Sequence, residues 1–108
     1  MKVIHDVYKT VVETVCRICS TDPVMMFSSN REIYVDARGL LIVVLIEYKF
    51  SESLISDLTG LTQQAVNRLK NLYPNRIKRH YLLFHTLQQI HTELSTILPQ
   101  DNCKTRDF

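Results

Sequence analysis

Glycine and proline are scarce in this chain, with two and three among 108 residues. So few turn formers argue against a β-sandwich or barrel, in which many short strands each need a tight turn. Tryptophan is absent. The longest uninterrupted apolar run, Leu40 to Ile46, falls far short of the roughly 20 residues that a membrane span needs. No membrane partner is expected. Cysteine occurs at 16, 19 and 103 only, an odd count that cannot pair completely. The first residues mix Lys2, Asp6 and Lys9 among apolar ones and show no secretory h-region, so reduced thiols and a cytoplasmic location are expected.

Other absences narrow the chemistry. Cys16 and Cys19 form a C-x-x-C pair, but both fall inside a helical pattern with no second pair, and they read as buried thiols rather than metal or redox groups. His85 and His91 are not spaced as an i, i+4 ligand pair, so no metal site is expected. There is no phosphate-cradling glycine motif, no nucleophile beside its base and no pair of acids suggesting a cleft. An enzyme is not expected, and no cofactor is implied. Carboxylates are also missing between Asp57 and Glu93, although Arg68, Lys70, Arg76, Lys78 and Arg79 all lie there. With a net charge of only +2, those five cations leave the rest of the chain at −3, so the charge is polarised along the sequence.

What is present is helical periodicity. Ile4, Val7, Val11, Val15 and Ile18 stripe an opening helix of about five turns. Asp22 and Pro23 signal a helix start, with a short helix over Val24 to Phe27. A polar loop holding Arg31 follows. A helix from Val35 to about Lys49, capped by Asp36, has an interior apolar nearly all round and is expected at the centre of a bundle. After Tyr73-Pro74-Asn75, read as a break, a long helix to Leu98 carries Ile77, Tyr81, Phe84, Leu87, Ile90, Leu94 and Ile97 at three- and four-residue steps. That stripe can pack on the first helix, or pair with a second copy to make a homodimer through the C-terminal helix. The expectation is an all-α, five- or six-helix bundle in one domain over residues 1–98, with a flexible tail at 99–108.

The stretch from Phe50 to Leu72 carries the functional reading. Ser51 can cap a short helix bearing Leu54, Ile55 and Leu58. Gly60 can end it in the left-handed conformation, and Thr62 can cap a second helix from Gln63 to Leu72. This is a helix-turn-helix pattern. Ala65, Val66, Leu69 and Leu72 are expected inside, leaving Gln63, Gln64, Asn67, Arg68 and Asn71 outside. Amides can pair bidentately with adenine and guanidinium with guanine, so these five are candidates for base contacts in double-stranded DNA. Candidates for phosphate contacts are Arg31, Arg38, Thr62, Lys70, Arg76, Lys78 and Arg79. Arg38 is expected near the positive end of the apolar helix, and Arg76, Lys78 and Arg79 in the first turn of the last one, where a phosphate would relieve the unfavourable dipole. The competing readings are a solvated face on an ordinary helical hairpin, and a protein-interaction or dimerisation module that keeps the helix-turn-helix fold but pairs through the apolar C-terminal helix.

The order of parts from Val7 to Asn71, about 65 residues, resembles the C-terminal DNA-binding domain of the bacterial replication initiator DnaA, a Trp-repressor-like helix-turn-helix. The likeness runs through an opening helix (VYKTVVETVCRIC), a short second helix (DPVMMF), a basic loop (NREIYVDARGL), a long apolar helix and a Ser-led helix-turn-helix. It implies sequence-specific duplex binding in transcription or replication, with Arg31 as the nearest match to the family's minor-groove arginine and Arg38 matching the arginine that opens the apolar helix. The family's Gly-Arg-Asp-His-Thr-Thr signature is replaced by Gly60-Leu61-Thr62-Gln63-Gln64-Ala65, and the ATPase region has no counterpart. Thr62-Gln63-Gln64 is similar to the start of phage-repressor recognition helices.

Overall fold

The structure, a computed structural model, describes residues 2–98, without the side chains of Lys2 and Val3. The tail expected at 99–108, with Cys103, lies outside the described residues. Six helices follow one another: α1 (Lys2–Cys19), α2 (Pro23–Ser28), α3 (Glu32–Glu47), α4 (Glu52–Thr59), α5 (Gln63–Arg79) and α6 (Tyr81–Ile97). The fold is an all-α bundle, as its periodicity predicts. No helix among the described residues is long and apolar enough to cross a membrane.

Helix α3 lies at the centre because its stretch from Gly39 to Ile46 has no polar side chain to offer water. Ala37, Gly39 to Ile42, Val44 and Leu45 are all buried, and α1, α2, α4 and α5 pack around them. Val11, Val12, Val15 and Cys16 of α1 close one side, and Leu87, Ile90 and Leu94 of α6 join the same core. Helices α1 and α3 end alike. Ser20 (φ 56°) and Lys49 (φ 73°) take the left-handed conformation, so that Thr21 N–H reaches the Cys16 carbonyl at 2.9 Å and Phe50 N–H the Leu45 carbonyl at 3.0 Å.

Several boundaries differ from the sequence expectation. Helix α3 begins at Glu32, three residues before Val35, with Arg31 at its N-cap. Asp36 is therefore no cap: its carboxylate accepts hydrogen bonds from the Tyr73 hydroxyl (2.7 Å) and Arg76 Nε (3.0 Å) of α5. Arg38 is likewise one turn too deep to face the positive helix end. Its guanidinium instead donates to the carbonyls of Met26 (2.8 Å) and Ser29 (2.6 Å), closing the end of α2.

The largest difference is at Pro74, which does not end α5. Proline removes the hydrogen bond to the Lys70 carbonyl and crowds it, a cost of about 3 kcal/mol in a helix interior. Tertiary contacts offset that cost. Tyr73 and Ile77 on either side of it are buried at 2% and 4% exposure, and Arg76 bridges to Asp36 and to Glu32 (2.9 Å). Helix α5 therefore runs on to Arg79, and the break falls at His80. Arg76, Lys78 and Arg79 then occupy a last turn, where positive charge suits the dipole without a phosphate.

Close approach of α3 and α5 depends on Gly39. A Cβ there would sit 2.5 Å from the Tyr73 ring, which its hydrogen bond to Asp36 keeps from swinging aside. Gly39→Ala is expected to cost about 1–3 kcal/mol in urea denaturation, despite the better helix propensity of alanine. An unchanged midpoint would contradict this account of the crossing.

Helix α6 is pinned to α3 by His91 Nε2 and Glu47 at 2.7 Å. The carboxylate raises the His91 pKa above 6.5. The pair's contribution is thus fully present below pH 6.5 and lost as pH rises through the raised value. Both side chains are more than a third exposed, so the effect should be below about 1 kcal/mol. Comparing His91→Gln with the wild type across pH 5 to 9, roughly the range in which histidine titrates, should show a stability gap only at the acid end.

Candidate nucleic-acid interface

Helices α4 and α5 are joined by a turn whose every cap is made by the residue its sequence suggests. Ser51 Oγ accepts from Leu54 N–H at 3.1 Å, and Thr62 Oγ1 accepts from Ala65 N–H at 3.0 Å. Between them Gly60 has φ 83°, and its N–H closes on the Ser56 carbonyl at 2.9 Å. The Ser56 hydroxyl donates to the Leu61 carbonyl (2.6 Å), and Leu61 N–H donates to Thr59 Oγ1 (3.1 Å). Leu61 is half-buried and packs on the core. The Gly60 and Leu61 N–H groups and the Leu61 carbonyl thus find partners within the turn itself.

Ile55, Val66 and Leu69 are buried and fix the rotation of both helices. Gln63, Gln64, Asn67, Arg68 and Asn71 all end on the exposed side. Leu72, expected inside, is 49% exposed, because Tyr73 takes the inward position at that turn. Gln64, Asn67, Arg68, Asn71 and Leu72 line one shallow surface concavity. Continuing α5 through Pro74 adds a residue that sequence reasoning missed. Asn75 falls on the same helical face as Gln64, Arg68 and Arg79, and all four are exposed. Reading the proline as a break hid this stripe, which runs about 22 Å along the helix.

The electrostatics are selective. Glu52, at the first position of α4, accepts from Lys70 Nζ (2.7 Å) and Asn67 Nδ2 (3.1 Å), and Asn71 Nδ2 donates to Asn67 Oδ1 (3.2 Å). Asn67 and Asn71 are thus tied into a short chain ending on a carboxylate. Gln63, Gln64 and Arg68 have no such partner among the described residues. The same division holds for the phosphate candidates. Arg38 is bound to the end of α2, Lys70 to Glu52, and Arg76 to Asp36 and Glu32. Arg31, Thr62, Lys78 and Arg79 are exposed, and the three cations among them form no ion pair among the described residues. Burial lowers the Arg38 pKa, whereas the hydrogen bond to Asp36 raises that of Arg76.

Cys16 and Cys19 are both held as thiols. Cys16 is buried against the Met26 sulfur at 4.0 Å, and burial pushes the half-buried Cys19 thiol up to about 11, so neither is a thiolate at neutral pH. Among the described residues no three His, Cys, Asp or Glu side chains are grouped to hold a metal ion. Compared with protein-family models, with curated proteins and with solved structures, the chain matches none.

The Lys70 and Asn67 hydrogen bonds hold the Glu52 pKa below 4.5. Its ionised form, and the stability that form brings, is therefore present above pH 4.5 and lost as pH falls through the lowered value. Following the Glu52 carboxyl carbon by NMR should give a midpoint below 4.5 that moves upward in Lys70→Met. A midpoint indifferent to that substitution would mean the bridge does not persist in solution.

Proposed function

We propose that this chain binds double-stranded DNA in a sequence-specific manner through the α4–α5 helix-turn-helix, as a non-enzymatic regulator of transcription or replication in the bacterial cytoplasm. The observation that carries the reading is the exposed side of α5. A glycine turn and two side-chain caps present the start of the helix, and its outward residues, Leu72 and Pro74 apart, are amides and cations with no carboxylate of their own. Gln63, Gln64 and Arg68 read base edges in the major groove, with Asn67 and Asn71 joining once Glu52 yields them. Lys78, Arg79, Arg31 and the Thr62 hydroxyl take phosphates. The resemblance to the DnaA C-terminal domain supports the same reading. The altered start of its recognition helix points to a target of its own. The alternative, a protein-interaction module on this fold, is favoured by the exposed apolar residues of α6 and predicts indifference to duplexes.

Selection from a random duplex pool, followed by titration at two salt concentrations, tests the proposal. Gln64→Ala or Arg68→Ala should weaken the selected site by about 1–3 kcal/mol and relax base preference there, whereas Lys78→Ala should weaken all duplexes alike and flatten the salt dependence by about one contact. Glu52→Gln should strengthen binding severalfold, because it removes a negative charge and frees Lys70. No enriched sequence, or binding that ignores salt, would overturn the reading.

A further inference from the structure

The start of α6 leaves apolar surface bare. Tyr81 and Leu82 are 76% and 75% exposed, although Leu87, one turn further on, is in the core. Facing Leu82 from the first turn of α3 is Ile33, itself 55% exposed. Between the two lies an open groove of ≈ 440 Å³, with Ile18 and Cys19 of α1 and Ala37 and Leu40 of α3 among its lining residues. Single exposed apolar residues are ordinary on a soluble protein. A groove flanked by two protruding ones offers a partner contiguous apolar surface.

Charge decides what docks there. The α3 rim of the groove is acidic: Glu32, with a side chain 80% exposed, and Asp36 share one guanidinium, that of Arg76, so the rim stays net negative. The chain leading into Leu82 is basic, since Lys78 and Arg79 are both exposed. A protruding leucine with cations behind it thus stands beside an apolar groove with an acidic rim. An acidic partner would be repelled by Glu32, and a basic one by Lys78 and Arg79. A second copy of this chain, turned about a two-fold axis, satisfies both halves at once.

We infer that this face is the contact between two copies, the Leu82 of each seated in the groove of the other and the Arg79 of each set against the other's Glu32. The pairing differs from one along the α6 stripe, whose Leu87, Ile90 and Leu94 are already in the core. It also leaves the amide-rich end of α5 uncovered, since Gln63 lies about 20 Å along that helix from Arg76. The inference specifies the dimer of the proposed regulator but does not rest on DNA binding.

Sedimentation of the full chain without DNA, from roughly 1 μM to 1 mM, provides the test. The mass should rise from one chain to two with concentration. Leu82→Asp should raise the dimer dissociation constant at least about tenfold while leaving helix content unchanged, and melting temperature unchanged at concentrations low enough that both chains are monomeric, because Leu82 is exposed in the single chain. Glu32→Lys should weaken the dimer, and adding Arg79→Glu should restore it. A chain monomeric throughout, or a dimer indifferent to Leu82→Asp, overturns the inference. So does a double charge reversal weaker than either single one. No DNA enters the experiment, so the two readings can fail separately.

Discussion

Helices α3 and α5 can cross so closely because position 39 carries no side chain. The Tyr73 ring fills the space a Cβ would take, and its hydroxyl reaches Asp36 three residues earlier on α3. Arg76 binds the same carboxylate from one turn further along α5. The contact unites a steric fit with a charge-assisted network whose carboxylate is only 20% exposed, so removing Asp36 would leave the buried Tyr73 hydroxyl without its acceptor and Arg76 with Glu32 alone. Most of the fold's departures from simple sequence rules trace to this crossing. It carries α5 past Pro74, it displaces Leu72 outward by claiming the inward position for Tyr73, and it fixes the direction in which the amide-bearing end of α5 points.

What could be read from the sequence was local, and what could not was tertiary. Ser51, Gly60, Thr62 and Asp22 act through atoms within a few residues of themselves, so their composition and spacing were sufficient to place α2, α4 and the start of α5. The all-apolar interior of α3 likewise announced a central helix. Pro74, Asp36 and Arg38 gave the opposite result, since each has a plausible local role as breaker, cap or dipole partner. Each is overridden by a group from a distant part of the chain: the buried Tyr73 and Ile77, the Arg76 guanidinium, and the carbonyls of Met26 and Ser29. Asn75 was lost with the misread proline. Of the candidate interface, the exposed orientation of Gln63, Gln64, Asn67, Arg68 and Asn71 followed from period alone. The pairing of Asn67 and Lys70 with Glu52 did not, because a one-turn register across two helices leaves no sequence signature.

That pairing changes the electrostatic argument. Five cations without a carboxylate between them look like a continuous basic strip, yet Lys70 and Arg76 are bound by acids from α4 and α3. The remaining cations of α5, Arg68, Lys78 and Arg79, lie along a helix that is otherwise neutral on its outer side. A surface of this kind has little long-range pull on a polyanion, and whatever selectivity it has must come from amide and guanidinium geometry at short range.

The cation count then bears on assembly. Under the duplex-binding reading, one copy offers at most Arg31, Arg68, Lys78 and Arg79 to DNA, fewer than the roughly 6–10 phosphate contacts at which affinity becomes strongly salt-dependent. Two copies held together through Arg79 would still offer Arg31, Arg68 and Lys78 twice, six cations in all, and a second copy of α5 would double the proposed base contacts without requiring any new residue. The surface suited to hold them is at the far end of α5 from its amides, where the acids that neutralise Arg76 also supply the negative rim of the Leu82 groove. One set of carboxylates thereby serves two ends: it anchors α5 against α3 and gives the proposed pairing face its charge. A chain in which Glu32 and Asp36 were neutral would keep the Tyr73 ring against Gly39 but lose the ion pairs that hold Arg76, and with them the polarity of the proposed pairing face.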